Sequence, residues 1–254
     1  MDPSRIARYP LTIDGETVEI GTANELAVAL DVLQGQHDRA ALEQLRPALA
    51  DITAGPLGFA RLLQSLSADD QIYLIDAIGP RLAEIIQESR RLRDIFAALA
   101  VTEVEQKILG TLGGDGLRAL VKTAGELSEV LGWLYGQADR QAVELLGTPY
   151  LKRLIRTGTD LSVVLEALDA RGQRDLLERL GWECTGGLVR SGVELAKVMR
   201  VLPAELSGCL IAEMSRDDLV AIIGNPHDWQ YLWERLEPEE CRMIAEKLGV
   251  DYAA

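Results

Sequence analysis

Apolar residues recur along this chain at a fixed interval of 34 residues. Leu127, Leu161, Leu195 and Trp229 form one column, and Val130, Val164, Val198 and Leu232 a second. Leu131, Leu165, Met199 and Trp233 form a third, and Leu134, Leu168, Leu202 and Leu236 a fourth. A fixed-period apolar pattern is the signature of one supersecondary unit copied along a chain. The copy that starts at Leu151 has three apolar blocks: Leu151, Leu154, Ile155; then Leu161, Val164, Leu165, Leu168; then Leu176, Leu177, Leu180, closed by Gly181. Offsets of 3, 4 and 7 within a block place its apolar residues on one face of a short helix, so each unit predicts three short helices.

Toward the N-terminus the pattern continues through Phe59, Leu62, Leu63, Leu66 and through Leu74, Ile75, Ile78. One copy, Leu92, Ile95, Phe96, Leu99, stands one residue early, as a single insertion in a connecting loop would make it. A degenerate copy at Leu26, Ala29, Leu30, Leu33 has the departures expected of a terminal unit with one neighbour. Gly79, Gly113, Gly147, Gly181 and Gly249 close the third blocks and read as left-handed helix caps, with Pro80 and Pro149 as helix stops. Gly158, Gly192 and Pro226 separate the first helix from the second, and Asp160 reads as an N-cap.

Residues Tyr9 to Ile20 break the pattern. Two alternating runs flank Asp14-Gly15-Glu16, which predicts a β-hairpin, and Thr22-Ala-Asn-Glu25 predicts a capping box ahead of Leu26. The hairpin either covers the apolar face of the first copy or offers an open strand edge to a partner. Asp51–Gly58 is the internal hinge candidate. The expected fold is all-α: a right-handed α-solenoid of about six 34-residue repeats with a small N-terminal β-hairpin cap. Its expected divisions are 1–57, hairpin plus capping repeat, and 58–254, the repeat array.

The unit LKRLIRTGTDLSVVLEALDARGQRDLLERLG resembles the α-solenoid repeats of the HEAT and armadillo class. It is also similar, more loosely, to the leucine-rich helical repeats of some bacterial effector proteins, which pair an LxxLI helix with a DLxxVLxxL helix. It has tetratricopeptide length without that family's Trp/Leu-Gly/Tyr/Ala/Pro pattern. Pumilio-type repeats match its size, but the polar base-reading column and basic concave surface of that family are missing. The resemblance covers residues 58–249 and implies fold; it carries no catalytic residue across.

Charge narrows the function. The chain has 26 Lys and Arg against 40 Asp and Glu, a net charge of −14. This acidity opposes nucleic-acid binding and anionic membrane surfaces and favours basic protein partners. Arg90, Arg91 and Arg93 read as a solvated helix face. Cys184, Cys209 and Cys241 have no metal or disulfide spacing, so Cys209 beside Leu210 and Ile211 is expected to be a buried thiol. With no apolar signal core in the first residues, a reducing cytoplasm is the expected compartment.

Catalytic constellations are not evident. His37 and His227 are expected in loops, with no linked nucleophile, and no metal-ligand spacing occurs. Gly110 and Gly113-Gly114-Asp115-Gly116 follow an apolar helix and read as a helix connector, since a phosphate cradle needs a preceding strand. Glu239-Glu240 and Asp217-Asp218 fit helix starts. Trp229 and Trp233 occupy core columns. Trp133, Tyr135, Tyr150, Trp182 and Tyr231 fall outside them and are the candidate partner contacts. The sequence therefore points to a non-enzymatic scaffold with no cofactor and no metal, whose partner is another protein or peptide with a basic surface. The alternative is a nucleic-acid mimic that occupies a basic cleft of a partner protein.

Overall fold

The computed structural model describes residues 7–33, 37–54, 56–99, 101–224 and 226–250. It is mostly helical, with one small hairpin. Strands β1 (Tyr9–Ile13) and β2 (Glu16–Ile20) pair antiparallel, with Leu11 opposite Val18 and Thr12 opposite Thr17. The turn residues Asp14 and Gly15 take φ of 50° and 84°, as a two-residue turn matched to strand twist requires. Helices α1 (Ala23–Leu33), α2 (Asp38–Leu45), α3 (Leu49–Ile52) and α4 (Pro56–Ser65) follow. Next come α5 (Ala68–Ile78), α6 (Leu82–Ile86), α7 (Ser89–Ala98) and α8 (Thr102–Leu120), with short 3-10 turns at Arg46–Ala48 and Gly79–Arg81. The chain continues through α9 (Ala124–Leu131), α10 (Gln137–Leu146), α11 (Thr148–Leu154), α12 (Gly158–Glu166), α13 (Ala170–Leu180) and α14 (Trp182–Leu188). It ends in α15 (Gly192–Val201), α16 (Ala204–Glu213), α17 (Arg216–Ile222), α18 (Pro226–Trp233) and α19 (Pro238–Leu248).

Two compact units share this chain. One holds the residues up to Val121 together with Trp133–Gln141; the other holds Lys122–Gly132 and the residues from Ala142 on. In the first, α4 packs on α1 and on α7, α5 packs on α8, and α2 packs on β1. Leu26, Leu30, Phe59, Leu62, Leu63, Leu74, Ile75 and Phe96 are fully buried there. In the second, α12 packs on both α9 and α15, and α15 packs on α18. Leu127, Leu161 and Leu195 are buried, as are Val130, Val164 and Val198. The tryptophan ends of two columns depart from this. Trp229 and Trp233 are only half-buried, with their rings 4.9 Å apart, so they cover each other at the last helix of the series rather than fill the core.

Helix ends carry much of the local information. Thr123, Thr157 and Ser215 are the N-caps of α9, α12 and α17, each in a reciprocal box with the acid three residues on: Glu126, Asp160 and Asp218. Asp160 is thus not the cap; its carboxylate accepts the main-chain N–H of Arg156 and Thr157. The Thr22–Glu25 box forms as expected. Pro80 and Pro149 lie in the first turns of the next helical segments, not at helix stops, a place where proline's missing N–H costs nothing. His227 likewise sits within α18 rather than a loop.

The closing glycines all have positive φ, but only Gly249 (φ 71°, ψ 31°) is a left-handed cap. Gly147 (φ 76°, ψ 149°) and Gly181 (φ 84°, ψ 127°) combine positive φ with extended ψ, a region that glycine alone occupies comfortably. Gly181 ends α13 and directly starts α14. Ser215, in the same column, has φ −70° and serves as an N-cap instead. Gly113 interrupts α8 in the same way, and the neighbouring glycines stay helical. Cys209 is half-buried, and Cys241 is the buried thiol. The expected hinge at Asp51–Gly58 includes Gly55, which lies outside the described residues, as does Ala100.

Gly158 and Gly192 serve a different purpose from the one expected of them. Each is the first residue of its helix. A Cβ on Gly158 would stand 2.8 Å from Glu194 Cβ, and one on Gly192 would stand 3.0 Å from Asp228 Cβ. The column marks close approach of α12 to α15 and of α15 to α18. Gly158→Ala is therefore expected to destabilise the protein by about 1–3 kcal/mol through overpacking. Gly187→Ala, where no atom lies within 4 Å of the added Cβ, is expected to be neutral or slightly stabilising. Urea denaturation of the two variants checks both.

Candidate partner-binding groove

The hairpin presents an apolar face. Register and strand alternation put Tyr9, Leu11, Ile13, Glu16, Val18 and Ile20 on one side. Leu11 and Ile20 are buried, but Val18 is 46% exposed. Helix α1 exposes Val28 at 49% and Val32 at 77%, an outer stripe its amphipathic pattern does not need for the core. Between these surfaces runs a cavity of about 820 Å³. Leu11, Ile13, Val18 and Ile20 line it from the hairpin, Val28, Ala29, Val32 and Leu33 from α1, and Arg61 from α4. Its polar lining is mainly acidic: Asp14, Glu16, Glu19 and Glu25. An apolar floor with a few charged groups at the rim has the composition of a binding cleft.

The surroundings fix this geometry. Tyr9 Oη bonds Asp51 Oδ2 at 3.2 Å, and the N–H of Thr12 donates to Gln44 Oε1 at 3.0 Å, so β1 is tied to the helices behind it. Burial raises the Tyr9 phenol, and the Asp51 carboxylate adds to that. The Gly21 N–H holds the Glu25 carboxyl below its ordinary range, with help from Arg8 against burial. Glu25 is thus a fixed negative charge, paired to Arg8 at 3.1 Å. Thr12 and Thr17 hydroxyls bond each other at 2.9 Å on the opposite face. His37 Nε2 lies 3.8 Å from Asp14 Oδ2 beside the turn.

None of the five aromatics singled out from the sequence lines this groove. Trp133 and Tyr135 are 43% and 56% exposed in the loop between α9 and α10. Tyr150, Trp182 and Tyr231 belong to the other unit and are half-buried on α11, α14 and α18. The Arg153 guanidinium lies 4.7 Å from the centre of the Tyr150 ring, and Arg235 lies 3.7 Å from that of Tyr231. Those rings have intramolecular cation–π partners. Among the described residues, no group of three or more His, Cys, Asp or Glu is arranged to hold a metal ion. No helix is long and apolar enough to cross a membrane among them.

A buried polar column escaped the reading of apolar periodicity. Gln71, Glu105, Asp139, Gln173, Ser207 and Cys241 are spaced by 34 residues, and all are buried. In the first unit, Gln71 Nε2 donates to the carbonyls of Leu63 at 2.6 Å and Leu66 at 3.2 Å. In the second, Gln173 Nε2 donates to those of Leu165 and Val201, both at 2.9 Å, and Ser207 Oγ to that of Met199 at 3.4 Å. The residue eight positions upstream is the acceptor each time. Glu105 Oε2 instead accepts the Tyr135 N–H at 3.3 Å, and its Oε1 has no protein partner. Glu105 thereby anchors the exposed aromatic loop.

Compared with known proteins, the chain matches no protein-family model and no curated relative.

Burial raises the Glu105 carboxyl, Asp139 and Glu103 push it the same way, and the Tyr135 N–H opposes them. A group raised on folding stabilises the native state fully below its unfolded pKa and loses that contribution as pH rises through the folded value. Glu105→Gln removes the loss. Its melting temperature relative to the parent should therefore climb between about pH 4, where unfolded carboxylates titrate, and neutrality. A difference that stays flat or shrinks with pH would contradict the assignment. The gain expected is on the order of 1.4 kcal/mol per pKa unit.

Proposed function

We propose that this chain is a non-catalytic binding scaffold whose partner is a protein or peptide with a basic, partly apolar surface. The observation that carries this is the groove between the hairpin and α1. Val18, Val28 and Val32 stand exposed on its floor while Asp14, Glu16, Glu19 and Glu25 stand along its rim. Exposed contiguous apolar surface rimmed by like charge is costly to keep unless something docks there. The charge selects a basic occupant and repels acidic ones.

In the same reading the helices form a right-handed α-solenoid of about six 34-residue units, of the HEAT and armadillo kind. What supports this is the start of α9, α12, α15 and α18 at residues 124, 158, 192 and 226, with each packing on the next. Such arrays work as extended binding surfaces. The exposed pair Trp133 and Tyr135 is a secondary contact candidate, because rigid aromatics on a tethered loop suit interface anchoring.

Zero-length crosslinking of carboxylates to amines, in an extract of the native cells, tests the reading. Partner lysines are expected to join Glu16 and Glu19. The double variant Val28→Glu, Val32→Glu should lose those products at least tenfold although it adds two carboxylates. Crosslinks that ignore the groove, or that grow in the variant, would contradict it.

A further inference from the structure

Resting on that reading of the groove, we propose that its occupant is an extended segment of the partner, added to β2 as a third strand and alternating apolar with basic side chains. The hydrogen-bond pattern of the hairpin leads there. In an antiparallel pair, residues opposite each other alternate between bonded and non-bonded pairs. The Thr12 N–H points away from β2, to Gln44 Oε1, so Thr12–Thr17 is a non-bonded pair. Thr17 then turns its own N–H and C=O outward, and no described residue bonds them. Glu19, opposite Pro10, is in the same phase; its carbonyl accepts Arg8 Nη1 at 3.2 Å from an exposed side chain. On the other strand the equivalent edge is occupied, because α2 packs against β1. Among the described residues the hairpin thus has one sealed edge and one open edge, and an open edge is a template for another strand.

The cavity takes in Glu16, Val18, Glu19 and Ile20 of β2 and extends across the hairpin face to Leu11 and Ile13 of β1. Val18 and Glu19 point to opposite faces of β2, and both line it. A strand seated there would direct every second side chain onto the floor formed with Val28 and Val32. The intervening side chains would meet Glu19, and one at the end would meet Asp14 and Glu16 by the turn. Apolar residues at alternate positions with Lys or Arg between them satisfy both sets. Main-chain bonds supply affinity and the alternate side chains supply selectivity. A helical occupant bonds its own backbone and would leave the Thr17 groups unused.

The test uses the full chain and fluorescein-labelled ten-residue peptides that alternate valine with lysine and arginine, followed by fluorescence anisotropy. Two further versions are N-methylated at every odd or every even amide, and one has the same composition rearranged to helical spacing. Strand addition requires that one parity of methylation weakens binding at least tenfold while the other is tolerated, and that the rearranged peptide binds at least tenfold more weakly. Equal tolerance of both parities, or equal binding of the rearranged peptide, overturns strand addition. The groove reading survives that result if Val28→Glu, Val32→Glu still abolishes binding. Binding by none of the peptides, or binding that tightens in that variant, overturns both. Val28 and Val32 are solvent-exposed, and unchanged circular dichroism of the variant verifies that it folds.

Discussion

Short helices with buried ends set the terms of this structure. Most of its helices run seven to eleven residues, below the length at which a helix holds itself in water. Each adds orphan N–H and C=O groups at its two ends, and many of those ends lie inside. The side chains that answer this demand are the caps at one end and the buried column at the other. Thr123, Thr157 and Ser215 with their acid partners close N-termini. Gln71, Gln173 and Ser207 reach the carbonyls at the ends of the preceding helices. Without such partners the apolar columns would bury unsatisfied backbone, at a cost comparable to the packing they gain.

Much of the acidity that looked functional in the sequence serves that purpose. Glu126, Asp160, Glu194 and Asp218 spend carboxylate oxygens on backbone N–H groups just outside their helices. Others pair with cations from neighbouring helices, as Asp70 does with Arg39 at 2.7 Å and Glu205 with Arg174 at 2.8 Å. The net charge remains a property of the whole surface. The proposed partner contact draws on the carboxylates beside exposed valines in the groove, Asp14, Glu16 and Glu19, while Glu25 next to them also caps α1.

The helices were legible in the apolar columns because a 3-4-7 spacing leaves few other structures open, and the hairpin was legible in Asp14-Gly15. The polar column was equally periodic, yet Gln, Glu, Asp, Ser and Cys share no single property that hydrophobicity reports. Their common feature is position: each is the third or fourth residue of its helix and is buried. Gly158 and Gly192 were visible as a column, but their reason was not. Proximity of Glu194 and Asp228 is a tertiary fact, and a helix-breaking role was the local alternative. The aromatics were visible as residues outside the columns, but not their surroundings: the half-burial of Trp182 and the arginine cover of Tyr150 and Tyr231 depend on neighbours that no local pattern identifies. The groove was hidden for the same reason. Val28 and Val32 belong to an apolar helix, and only the packing of α1 on α4 decides which of its residues remain outside.

The dependence of the fold on its buried hydrogen-bond column can be measured most directly by amide hydrogen exchange on Gln173→Leu. Gln173 bonds the last turns of α12 and α15 together, so exchange should accelerate around residues 165–170 and 199–204, with a loss of about 1–3 kcal/mol in global stability. Protection elsewhere, in the hairpin and α1 for example, should be unchanged. Unaltered exchange at those helix ends, together with equal or higher stability, would contradict the account.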